Sequence, residues 1–155
     1  MADHRDAVLN SKEFVESSPM PKDVPHVDEL GVTSAPLKSA SFFIGDKCKE
    51  YNDDFMLCKQ ENNNPEHCLK EGRKVTRCAA SVISDINKHC FKQFESHFQC
   101  LEFNNQYFYP CRKQERSLNE CVAASLNLHK NIPGTPEGQP QIHEKTNPIH
   151  KRVQH

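Results

Sequence analysis

Eight cysteines, at positions 48, 58, 68, 78, 90, 100, 111 and 121, are the residues whose type and spacing most directly promise chemistry. Taken in pairs they repeat C-x9-C four times, at 48/58, 68/78, 90/100 and 111/121. Such a set can hold a metal, act as reactive thiols or staple the chain with disulfides. Structural zinc sites use chelating spacings such as C-x2-C, with sulfurs about 2.3 Å from the ion. No two cysteines here are adjacent or in C-x-x-C, which argues against zinc, copper delivery and thiol oxidoreduction alike. Ten residues along an α-helix advance about 15 Å and turn to within roughly 80° of the start, so both members of a pair share one broad face.

Two such helices packed antiparallel bring the first cysteine of one against the last cysteine of the other, while the inner two meet near the turn. Eight cysteines allow 105 pairings. The hairpin geometry selects Cys48–Cys78, Cys58–Cys68, Cys90–Cys121 and Cys100–Cys111. The two pairs within a hairpin then lie about 15 Å apart, too far for one ion to collect four thiolates. Each outer bridge closes about 30 residues and contributes roughly 3 to 4 kcal/mol on a loop-entropy account, with nested bridges adding less than their sum. That is comparable to the whole stability expected of so small a helical unit.

The other chemistry-bearing residues form no recognisable constellation. Among nine histidines none stands in H-x3-H or H-E-x-x-H. They read as surface or boundary residues, although His97 shares a helix face with Phe94 and Leu101. With five glycines there is no phosphate-cradling loop, and no G-x-S-x-G is present. The expectation is a protein without catalytic residues, metal or cofactor.

The elements that must position the cysteines are helical. Ile44, Cys48, Tyr51, Phe55 and Cys58 follow each other at steps of four, three, four and three, one apolar stripe. The run ends in Asn62-Asn63-Asn64-Pro65, where Asn64 can cap a second helix and Pro65 suits its first position. Cys68, Val75, Cys78 and Val82 continue the stripe, and Gly72 weakens it. Ser84 or Asp85 is the expected cap of a third helix, which buries Ile86, Cys90, Phe94, His97 and Leu101. A fourth, from Pro110 to Leu128, carries Cys111, Leu118, Cys121 and Val122. The comparison of 44–82 with 86–128 reveals an internal repeat. The expected fold is all-α: two tandem disulfide-stapled antiparallel helical hairpins, at 44–83 and 84–128, with an extended N-terminal arm (1–43), in which Leu37 to Ile44 can start the first helix, and an extended C-terminal arm (129–155).

Composition bounds the function. The chain has 155 residues, 35% of them hydrophobic, and no Trp, so it supports one modest core. Twenty Lys and Arg balance 21 Asp and Glu, leaving no field that would draw nucleic acid or an anionic membrane. No apolar run of about 18 residues is present, so the expectation is a peripheral protein without a transmembrane segment. Cysteine density of this kind points to an oxidising compartment. Yet the start, Met1-Ala2-Asp3-His4-Arg5-Asp6, resembles neither a secretory signal nor an Arg-rich transit peptide. The mitochondrial intermembrane space reconciles the two, because oxidative folding can itself retain a small protein there.

Phe91, Phe94, Phe98, Phe103, Tyr107, Phe108 and Tyr109 crowd the second hairpin. Most are expected between the two hairpins. Tyr107, Phe108 and Tyr109 fall in the inter-helix loop, where a small hairpin cannot bury all three, and are the candidate partner-binding residues.

The quadruple C-x9-C array resembles the coiled-coil-helix-coiled-coil-helix proteins of the intermembrane space. Val27-Asp28-Glu29-Leu30 with Ser34-Ala35-Pro36-Leu37-Lys38-Ser39-Ala40, then Phe55-Met56-Leu57-Cys58, Cys68-Leu69-Lys70-Glu71-Gly72 and Cys111-Arg112-Lys113-Gln114, resemble the PGIV-type accessory subunits of mitochondrial respiratory complex I. The resemblance covers roughly residues 26 to 130. It implies a non-catalytic subunit on the intermembrane-space side of the membrane arm, peripheral on the inner membrane and serving assembly and stability. Implied partners are other membrane-arm subunits and the disulfide-relay import machinery, which would dock beside a cysteine on a helix bearing aromatics such as Tyr51 and Phe55. A soluble intermembrane-space assembly factor or metal-delivery chaperone of the same fold is the alternative, disfavoured by the missing Cys-Cys.

Overall fold

The computed structural model describes residues 20–145; residues 1–19 and 146–155, the outer parts of the two expected arms, lie outside the described residues. The described chain is all-helical: α1 (Ser34–Lys47), α2 (Lys49–Glu61), α3 (Leu69–Phe103), a 3-10 turn (Tyr109–Cys111) and α4 (Arg112–Leu126).

The first helix begins ten residues before the expected hairpin, inside the segment read as an arm. Pro36 is tolerated there because its missing N–H falls in the unpaired first turn. Ala35, Ser39, Ala40 and Phe43 line one face of α1 and are buried. Leu30 and Val32, just before it, also pack on the core. The arm expected over 1–43 is thus in part a central element. Cys48 leaves helical geometry at φ −101° and ψ 15° and divides α1 from α2, so the stripe expected from Ile44 to Cys58 bends there. Tyr51 on α2 is left exposed.

Helix α2 buries no residue. It lies against α3, fastened by Cys48–Cys78 at one end and Cys58–Cys68 at the other. In the turn between them, Asn64 Oδ1 accepts the Glu66 N–H at 3.2 Å, and the His67 N–H donates to the Asn64 carbonyl at 3.0 Å. Asn64 caps this turn, and α3 starts four residues later than Pro65 would have it.

Helix α3 runs 35 residues and passes without a break through 83/84, the expected boundary between hairpins. Neither Ser84 nor Asp85 caps a helix; both lie within it. The reason is packing: Ala79, Val82, Ile83, Ile86, Cys90, Phe94, His97 and Leu101 are buried along one continuous stripe, so the helix gains more by continuing than two side-chain caps could offer. The irregularity falls instead at Cys90, with φ −132° and ψ 29°.

The core joins α1, the middle of α3 and α4 through Ala40, Phe43, Val82, Ile83, Ile86, Phe94, Leu118 and Val122. Phe94 and Phe98 meet edge to face at 5.3 Å. Phe91 and Phe103, expected in the core, are exposed. Beyond Phe103 the chain reverses through Asn105 and Gln106, both at positive φ, and the Gln106 N–H donates to the Leu101 carbonyl at 2.7 Å. Helix α4 ends on Asn127 in the left-handed conformation at φ 54°, a residue that tolerates that region.

Candidate functional site: a stapled helical clamp with a buried ionic cluster

In the structure all eight cysteines are bonded, as Cys48–Cys78, Cys58–Cys68, Cys90–Cys121 and Cys100–Cys111, and none is free. Their sulfurs are therefore held as staples. Among the described residues no group of three or more His, Cys, Asp or Glu is arranged to hold a metal ion. No described helix is long and apolar enough to cross a membrane.

The three aromatic candidates separate. Tyr107 and Tyr109 stand out from the tip of the second hairpin, 56% and 45% exposed, with their rings 5.7 Å apart. Phe103 is 87% exposed close by in the chain. Phe108 instead turns inward: its ring lies 6.0 Å from Phe42 of α1 and 6.0 Å from His97 of α3. It is half-buried against the core, because a flanking aromatic pair on α1 and α3 offers it cover that a lone hairpin would lack.

Around Phe108 lies a cluster of charge absent from the expected core. Glu115 of α4 is buried at 2% exposure. One of its oxygens accepts Arg112 Nη1 at 2.5 Å, the other pairs with Lys130 Nζ. The Lys130 side chain is only 4% exposed, with its ammonium 4.0 Å from the Phe42 ring centre and 4.4 Å from that of Phe108. Burial holds its pKa below the usual lysine value, against the pull of Glu115. Burying one charge alone is prohibitive, so a carboxylate shared by two cations and two aromatic faces is what makes the arrangement tolerable.

Two histidines read as surface or boundary residues are also buried here. His97 Nδ1 is hydrogen-bonded to Ser39 Oγ at 2.7 Å, while His97 Nε2 and His143 Nδ1 have no hydrogen-bond partner among the described residues. Burial, with Lys130 and Arg112 adding to it and Glu115 opposing, pushes the His97 pKa down to about 4. The same burial lowers that of His143.

Lys130 and His143 bring the C-terminal segment onto the core. The His129 N–H donates to Asp46 Oδ2 at 2.9 Å, tying the segment to α1. The Ile132 N–H donates to Gln141 Oε1 at 2.9 Å and Gln141 Nε2 to Asn131 Oδ1 at 3.1 Å, which closes a compact loop. Arg116 Nη2 donates to the Glu144 carbonyl at 3.5 Å. The described part of the expected extended arm is therefore folded back on α1 and α4. Sequence reading missed Glu115, Lys130 and His143; the one local signal was Arg112 and Glu115 at i,i+3 on an apolar-faced helix.

No protein-family model matches the chain. The NADH-ubiquinone oxidoreductase 20.8 kDa subunit of Neurospora crassa is 50% identical over 137 residues, which cover 87% of this chain and 75% of that protein. The Arabidopsis thaliana NADH dehydrogenase [ubiquinone] 1 alpha subcomplex subunits 8-A and 8-B are each 34% identical over 88 residues, 57% of this chain and 82% and 83% of theirs. With this identity across most of its length, and with four disulfides stapling helices in the manner of twin C-x9-C proteins, the chain belongs to the family of complex I accessory subunits that contains the 20.8 kDa subunit and alpha subcomplex subunit 8.

Proposed function

We propose that this protein is a non-catalytic accessory subunit of mitochondrial NADH:ubiquinone oxidoreductase, held on the intermembrane-space face of the membrane arm, where it clamps neighbouring subunits and supports their assembly. The observation that carries this reading is the set of four disulfides in a member of this family, because such bridges persist only in an oxidising compartment. Helix α2, with no core of its own, depends on its two bridges for its place, so oxidation by the import relay would complete the fold. Tyr107 and Tyr109, exposed at the tip of the second hairpin, are the contact residues for a neighbouring subunit. Sulfurs held in four bonded pairs support a structural role over metal delivery or redox turnover.

The test is gentle solubilisation of mitochondria and native separation by mass, with detection of this chain beside in-gel NADH dehydrogenase activity. Stoichiometric co-migration with the active band is expected, together with loss of the chain to external protease once the outer membrane is ruptured. Migration only as a small free species or with immature intermediates would overturn the subunit assignment. Protection from protease in mitoplasts would overturn the location. Cys58→Ser, which leaves Cys68 unpaired, should lower the steady-state amount of the protein, and non-reducing peptide mapping should return the four pairs given above.

A further inference from the structure

We propose that Phe42, Phe108 and Glu115 form a receptor for a primary ammonium group, that Lys130 fills it from within the same chain, and that this occupancy seats residues 129–145 on the helical core. The ligand class follows from the walls. Two aromatic faces stand 4.0 and 4.4 Å from the nitrogen, within the range of a cation–π contact. The two rings are themselves 6.0 Å apart and inclined at 66°, so they present a corner to the cation and not a slot. A carboxylate closes the third side, and Arg112 Nη1, at 2.5 Å from its other oxygen, fixes the direction in which it points. A guanidinium in the same place would need flat space and several acceptors, whereas the cage offers one carboxylate oxygen and two ring faces to a compact charge.

The site draws on α1 for Phe42, on the loop before the 3-10 turn for Phe108 and on α4 for Arg112 and Glu115, while the occupant comes from the C-terminal segment. Apart from Lys130, that segment is attached among the described residues by single hydrogen bonds, at His129 to Asp46 and from Arg116 to Glu144, and by the burial of His143. Its other bonds are internal to it. The lysine is thus the anchor and the rest is trim. Emptying the cage leaves Glu115 paired with Arg112, so the helices survive the loss of the occupant.

The experiment compares the oxidised full-length protein with Lys130→Ala by hydrogen exchange and by thermal melting. In the variant, amides of residues 129–145, Ile132 above all, should exchange at least about tenfold faster, while those of α3 and α4 keep their protection. n-Propylammonium chloride should raise the melting temperature of Lys130→Ala more than equimolar sodium chloride does, and leave the unaltered protein, whose cage is full, no more stable than the salt control. Should the alanine variant not accumulate, Lys130→Met, which keeps the apolar stem and removes the charge, carries the exchange readout. Unchanged protection of 129–145, or an alanine variant that responds to the amine only as it does to salt, would overturn the proposal.

Discussion

His97 offers a stability change whose size follows from its surroundings. Its imidazole is 1% exposed, hydrogen-bonded through Nδ1 to Ser39 and near Arg112 and Lys130, and its pKa falls from 6.5 to about 4. The native state therefore holds a neutral ring where the unfolded chain, below its ordinary value, holds a charged one. Between those two values the unfolded state binds more protons, so stability is complete above the unfolded pKa and drains away as pH falls through 6.5 toward 4. The full shift corresponds to about 3 kcal/mol. At about pH 5 the part already lost is about 2 kcal/mol, since a group with these two values is then almost wholly protonated only in the unfolded chain. His97→Gln keeps a hydrogen-bonding side chain toward Ser39 and does not titrate. Urea unfolding of both proteins with bridges intact, near pH 8 and near pH 5, isolates the residue because every other group cancels in the difference. The gap between variant and parent should move by about 2 kcal/mol in favour of the variant on acidification. A gap that stays constant within a few tenths, or an NMR titration of His97 with its midpoint near the ordinary histidine value, would refute the reasoning.

Other perturbations have clear expectations. Phe43→Ala, on the helix that was read as an arm, empties a site buried to 1% and should cost about 3 to 5 kcal/mol by denaturant unfolding. Gly72→Ala should stabilise by about 0.5 to 1 kcal/mol, visible as a raised melting temperature. The added Cβ meets only the Phe55 ring, at 3.4 Å, which is ordinary contact. The double change Tyr107→Ala, Tyr109→Ala should alter unfolding by less than about 0.5 kcal/mol, as exposed positions do. It should nonetheless reduce the fraction of the protein that co-migrates with the high-mass complex; equal incorporation would remove these residues from the contact surface.

The helical class was legible because cysteines and large apolar side chains recur at steps of three and four, as with Ile86, Cys90, Phe94, His97 and Leu101, all but His97 hydrophobic or sulfur-bearing by inspection and all buried. Helix α1 was legible only from Leu37 on, because its start buries Ala35, a small residue, and carries Pro36 in the first turn. The continuity of α3 was hidden for the opposite reason. Ser84 and Asp85 look like a cap, and only the contact of Val82, Ile83 and Ile86 with α1 and α4 makes a helix that runs on to the kink at Cys90 the better solution. Of the ionic cluster only the i,i+3 spacing of Arg112 and Glu115 is visible in the sequence. Glu115 and Lys130 stand fifteen residues apart, each an ordinary surface charge until α1 and the loop at Phe108 close over them.

That closure depends on what packs before it. Phe42, Phe108, Arg112 and Glu115 come from separate stretches of the chain, so Lys130 has a seat only once those stretches have come together. Cys111, next to Arg112, is bonded to Cys100, and the ring of Phe108 is carried in the stretch which that bond closes. A molecule in which that bridge was missing or shuffled would leave Lys130 without one wall of its seat, so the tail reports on the bridge that lies beneath it.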